Sequence, residues 1–244
     1  MEVHTHTHTA RKKWTHYFWE FLMLFLAVFC GFMAEYKLEH MIEHQREKEY
    51  IESLAEDVKL DIQTFSIAIE RIKTQVLGKD SLLLLIEDGT IPSAKASRFY
   101  DLHWKYVGYT PNITSSKRTM NQLLNAGGLR LIQKKKVSDA ISVYSTRVYH
   151  LENTRQTELQ QAIFKDLDAS MKLVDARYTR ALPDTSGTLV VIENPVMRNA
   201  SVNDVKDFAF MLEMDKENNL GFLRLLYRLR NLARELLVLI EDNY

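Results

Sequence analysis

Residues 20–36 read EFLMLFLAVFCGFMAEY, and the meaning of this stretch decides how the rest of the chain is organised. Phe21 to Ala34 is an unbroken run of 14 apolar or small residues. That is shorter than the roughly 20 residues that cross a bilayer as a helix, and it also suits a buried core helix or the apolar part of a signal peptide. The flanks decide between these. Tyr17, Phe18 and Trp19 precede the run with only Glu20 interposed, and Tyr36 follows Glu35. Residues 17–36 thus form a segment with aromatic ends, as expected where rings sit at headgroup level. Arg11, Lys12 and Lys13 lie just outside it beside Trp14. GFMAEYKLEH, which follows, offers no small-residue cleavage site, and bulky Phe29 before Cys30 fits a lipoprotein signal poorly. The segment reads as a membrane anchor, with Trp14, Trp19, Tyr36 and the three N-terminal bases at the interfaces.

Orientation follows from the bases. Arg11, Lys12 and Lys13 stand on one side and Lys37, Arg46 and Lys48 on the other, so the counts are equal and only the contiguity of the first three favours a cytoplasmic N-terminus. In a Gram-negative cell the bulk of the chain would then be periplasmic, on an inner-membrane anchor.

Composition narrows the classes. The 244 residues carry 32 basic and 32 acidic side chains, so no global charge draws the chain to nucleic acid. Gly (8) and Pro (4) are few, and Leu, Glu, Lys, Arg and Ala fill long runs, which favours helices. Cys30 is the single cysteine, which rules out an internal disulfide and any multi-thiolate metal site.

The expected architecture is all-α. A His-rich tail (1–13) leads into a transmembrane helix (14–36), a charged juxtamembrane stalk (37–50) and a helical domain (51–244). One helix is expected from Trp14 to about Leu77, its apolar stripe made by Ile51, Leu54, Val58, Ile62, Phe65, Ile69, Ile72 and Val76. LGKD (77–80) reads as a stop, with Asp80 capping the next helix. Further helices are expected at about 93–106, across KRTMNQLLNAGG, from about 133 to 178, and as two separate elements at 202–216 and 218–242. TLVVI (188–192) reads as a short extended piece.

Read together, REKEYIESLAEDVKLD (46–61), TPNITSSKRTMNQLLNAGGLRLIQKKKVSDAISVYSTRVYHLE (110–152) and LYRLRNLARELLVLIED (226–242) resemble a family of uncharacterised single-span membrane proteins of Gram-negative bacteria, a domain of unknown function. The resemblance covers nearly all of the chain from about residue 14, and LLNAGGLRLIQKKKVSDAISVY (123–144) is its most specific piece. It implies an N-terminal anchor with a helical extracytoplasmic domain. It implies no activity, cofactor or catalytic residue.

Three motifs have chemistry in their pattern. HMIEH (40–44) fits H-x-x-E-H of inverted zinc peptidases, with His40, Glu43 and His44 close together on a helix. A catalytic zinc needs a further protein ligand, and Glu87 is the last glutamate before Glu152; a solvated stalk face explains the motif better. HTHTHT places His4, His6 and His8 on one side of an extended tail, suited to weak metal capture. Glu20, an acid within the aromatic-flanked span, is a functional candidate by position, although a place at the interface beside Lys13 or His16 would satisfy it. The basic cluster Arg130, Lys134, Lys135 and Lys136 reads as a solvated helix face. The sequence therefore supports a membrane-anchored structural or interaction module, self-assembling or joined to an envelope complex. The rival readings are an ion-coupled accessory subunit using Glu20 and, less favoured, a zinc protein.

Overall fold

The computed structural model describes residues 14–108, 112–125, 127–181, 189–191 and 194–244, without the side chains of 180–181 and 189–191. The expected histidine and base sites at His4, His6, His8, Arg11, Lys12 and Lys13 lie outside the described residues. The chain is all-α, a long N-terminal helix followed by further helices. It divides into two compact units, residues 1–49 and 50–244.

Within the first unit, helix α1 (Trp14–Leu83) begins at the aromatic flank of the apolar run. Every residue from 14 to 36 is exposed apart from half-buried Leu22. Phe21, Phe25 and Phe29 stack at i, i+4 spacing with ring centroids 6.3 and 6.0 Å apart, so one face of the segment is an aromatic ladder. By length and composition this part of α1 is able to cross a membrane, and none of its most apolar stretch is buried.

The second unit is a helical bundle with two hydrophobic clusters. α1 supplies the larger one with Ile51, Leu54, Val58, Phe65, Ile69 and Ile72, the stripe read from the sequence. Against it pack α4 (Lys135–His150) through Val137, Ile141, Tyr144 and Val148, and the second half of α6 (Val202–Glu241) from Phe222 to Ile240. The smaller cluster joins Leu82 of α1, Phe99, Tyr100 and Leu102 of α2 (Ala96–Tyr106), Leu173 and Val174, and Val205, Phe208 and Leu212 of α6. α1 and α6 run through both clusters and are the frame of the domain. α3 (Arg118–Asn125) and α5 (Gln156–Ser170) complete the helices. Gly127, at φ 68°, takes the left-handed turn after α3 that a side chain would strain. A two-stranded antiparallel ribbon, β1 (Thr179–Ala181) with β2 (Leu189–Val191), pairs Thr179 with Val191; β2 is the extended piece expected at TLVVI.

Three expectations are corrected. α1 does not stop at LGKD but runs on to Leu83. Gly78 lies inside the helix, where the Tyr106 ring occupies the space a Cβ would need, and Asp80 accepts from Lys216 Nζ at 2.9 Å instead of capping a helix. The expected pair of C-terminal helices is one 40-residue helix. Its buried stripe continues through Leu212, Asp215, Asn219, Phe222 and Leu226, and the two polar members interrupt the apolar pattern without breaking the backbone. The helix expected over 133–178 is α4, a π-helical segment at Leu151–Arg155, and α5, ending at Ser170. α6 opens with a capping box: Ser201 Oγ accepts Asp204 N–H and Asp204 Oδ2 accepts Ser201 N–H.

Candidate functional site

Residues 112–117, before α3, have no regular structure, yet Ile113 and Ser115 are buried. Buried backbone polar groups need partners, and here side chains provide them. Gln156, the first residue of α5, pairs with Ile113 twice: its Oε1 accepts the backbone N–H at 2.8 Å and its Nε2 donates to the carbonyl at 2.7 Å. Glu152 Oε1 accepts both the N–H and the hydroxyl of Ser115 at 2.7 Å, and Lys117 Nζ lies 2.5 Å from its other oxygen. Asp61 Oδ1 accepts Ser116 N–H at 2.7 Å. Asp57 accepts the Ser116 hydroxyl at 3.0 Å and, through Oδ2, the Thr119 N–H at 3.1 Å, so it satisfies a donor in the first turn of α3 from another helix.

Three carboxylates from two elements thus clamp one segment. Asp57 and Asp61 are one turn apart on α1 and share a face. Glu152 lies in the π-helical segment, whose altered register belongs to the stretch that carries both Glu152 and Gln156 to the clamp; such segments recur at functional sites. Tyr144 of α4 donates its hydroxyl to Asp61 Oδ2 at 2.5 Å and closes the constellation.

The electrostatics distinguish the two aspartates. Burial pushes Asp61 up to about 6; donation from Tyr144 and Ser116 opposes this, and the charges of Asp57 and Glu152 reinforce it. At Asp57 burial acts in the same direction, but hydrogen bonds from Thr119 and Ser116 and the charge of Arg118, 3.9 Å away, outweigh it and hold the carboxyl below its ordinary value. Burial, followed by the Asp61 charge, raises Tyr144. Beside the clamp lies a recess of about 340 Å³, walled by Met120, Leu124 and Val148 and edged by Asp61, Tyr144 and Glu152. Asp61 is thus able to exchange a proton near neutral pH, while both of its oxygens are engaged in holding the fold.

The residues singled out in the sequence lie elsewhere. Trp14, Trp19 and Tyr36 are exposed on the first unit, and Glu20 Oε1 lies 3.1 Å from His16 Nε2. His40 stacks on Tyr36 with centroids 6.4 Å apart, and His44 Nδ1 lies 3.3 Å from Glu47 Oε2. Among the described residues no group of three His, Cys, Asp or Glu is placed to hold a metal ion. The clamp residues were not singled out from the sequence. Their signal was present in SLAEDVKLD (53–61), where two acids at i, i+4 border the apolar stripe of Leu54, Val58 and Ile62.

No family model, no curated protein and no solved structure matches the chain.

Proposed function

We propose that this protein is a membrane-tethered helical interaction module of the bacterial envelope. The observation that carries the reading is the apolar, aromatic-flanked segment of α1, exposed along residues 14–36 and long enough to span a bilayer. Exposed apolar surface of this extent has no favourable place in water, and lipid accounts for it. The contiguous bases Arg11, Lys12 and Lys13 favour a cytoplasmic N-terminus. That puts residues 50–244 on the outer side of an inner membrane, consistent with the resemblance to single-span Gram-negative proteins. In the second unit the clamp carboxylates serve to hold the segment before α3, which suits a scaffold better than a catalyst. The partner is a second copy or a multi-span envelope complex. Glu20 would make the chain an ion-coupled accessory subunit in the rival reading, but its neighbour His16 at 3.1 Å gives it a local partner at the end of the span.

The test is purification from native membranes in mild detergent, with particle mass and partner identity read together. A tethered module stays with the membrane through an alkaline wash and elutes as a homo-oligomer or with a stoichiometric partner. Recovery of the intact chain in the washed soluble fraction would overturn the tether. Co-purification with a multi-span protein, lost on Glu20→Gln, would move the reading to the accessory subunit.

A further inference from the structure

Within residues 50–244, α1 and α6 each carry one interior glycine, Gly78 and Gly221. The Tyr106 ring requires the first, but nothing comparable lies against the second. Beyond its own helix backbone, a Cβ at Gly221 would meet only two atoms among the described residues: Arg224 Nη2 at 3.8 Å and Arg155 Nη2 at 4.0 Å. These are ordinary contact distances to the ends of flexible side chains, so alanine would fit. Glycine weakens a helix interior relative to alanine. Packing therefore does not account for Gly221.

The bare position leaves room between two guanidinium groups. Arg155 ends the π-helical segment before α5; Glu158 engages its Nη1, while its Nη2 lies beside Gly221. Arg224, one turn further along α6, leans back over Gly221, as helical side chains tilt toward the N-terminus. Among the described residues no acceptor engages Arg155 Nη2 or any nitrogen of Arg224. Glu217, one turn before Gly221, pairs with neither arginine, and Arg228, one turn beyond Arg224, is exposed. Two like charges from different elements thus converge on one point with donors unused on both, and an anion placed between them would turn repulsion into attraction.

We propose that Arg155 and Arg224 form a binding site for a phosphoryl group seated over Gly221. A carboxylate has two coplanar oxygens, which a single guanidinium edge takes up. A tetrahedral oxyanion directs its oxygens to several sides, so one phosphoryl group accepts from both arginines at once. Any side chain at position 221 would occupy part of that seat. The site is independent of the membrane reading. Two sources present the same group, a soluble phosphate and the headgroup of an anionic lipid.

The experiment is calorimetric titration of the full chain in dodecyl maltoside micelles with sodium phosphate at neutral pH and low ionic strength. Empty micelles are the blank and sodium acetate is the planar anion. The expected result is saturable binding of one phosphate per chain, at least about tenfold tighter than acetate. Arg224→Gln should weaken phosphate binding about tenfold or more. Gly221→Ala keeps both arginines, so it should weaken phosphate binding by a similar factor while raising the thermal unfolding midpoint in the absence of phosphate. Phosphatidate added to the micelles separates the two sources. A headgroup site loses its phosphate heat in that mixture, a soluble-phosphate site retains it, and either result supports the proposal when both variants bind weakly. No saturable phosphate heat, equal affinity for acetate, or phosphate binding unchanged in Arg224→Gln or Gly221→Ala would each overturn it.

Discussion

Asp61 is the residue on which the clamp turns, because it is the buried acceptor that two separate elements share. Its Oδ2 receives the Tyr144 hydroxyl and its Oδ1 the Ser116 N–H. Tyr144→Phe removes one donor from a buried carboxylate and leaves an acceptor unsatisfied, which costs about 1–3 kcal/mol. Tyr144 donation also holds the Asp61 pKa down against burial, so the same variant should raise the Asp61 titration midpoint above about 6. Carbon NMR of the Asp61 carboxyl against pH reads this; a midpoint unmoved or lowered would mean that Tyr144 does not donate to Asp61. Little of this was visible in the sequence. Asp57 and Asp61 look like solvated acids beside an apolar stripe, and their burial follows from partners that arrive 55 or more positions later. His103 was equally silent: it stacks on Phe99 and meets Trp104 edge to face, and burial lowers its pKa to about 4.

At the scale of elements, helix type and stripe were legible because the core of α1 is built from apolar residues at spacings of three and four. Helix ends were not, because the deciding contacts are tertiary. Gly78 has the local signature of a stop, yet it is a small helical residue on which Tyr106 of α2 lies. Gly78→Ala should therefore destabilise the domain by about 1–3 kcal/mol through the forced displacement of that ring. In a Tyr106→Ala background the same change should be neutral or stabilising by up to about 1 kcal/mol, since alanine is the better helix former. Chemical denaturation of the four proteins of this cycle checks it. A cost that persists without the ring would mean that something other than Tyr106 requires glycine. α6 misled in the opposite way. Asp215 and Asn219 sit on its buried face and read as a break, whereas Asp215 marks the polar layer where α6 meets Lys79.

At the scale of the molecule, the second unit contains both hydrophobic clusters, so residues 50–244 should fold without the apolar segment. A chain beginning at Tyr50 should remain soluble without detergent and melt cooperatively by circular dichroism; aggregation or a melt without a transition would mean that residues 14–49 are needed for the fold. Among the groups that set the pH dependence of that domain, Asp61 and His103 make opposed contributions. Asp61, with a folded pKa raised to about 6 from an ordinary 3.8, binds more protons folded than unfolded, so its contribution is greatest in acid and is lost as pH rises from about 4 to about 6. His103, lowered to about 4 from 6.5, binds fewer protons folded, so its contribution is complete above about 6.5 and is lost as pH falls towards 4. Each shift exceeds two pH units and corresponds to a stability swing on the order of 3 kcal/mol, with opposite sign. Relative to the wild type, the two single variants should tilt the profile between pH 4 and 6.5 in opposite directions. Asp61→Asn should leave the histidine slope, so that variant loses stability on acidification relative to wild type. His103→Phe, which removes two buried ring nitrogens without partners, should leave the aspartate slope and gain stability on acidification by comparison. Urea midpoints of the three proteins at pH 4.5, 5.5 and 6.5 measure both slopes, and parallel profiles would show that neither group titrates as its burial requires.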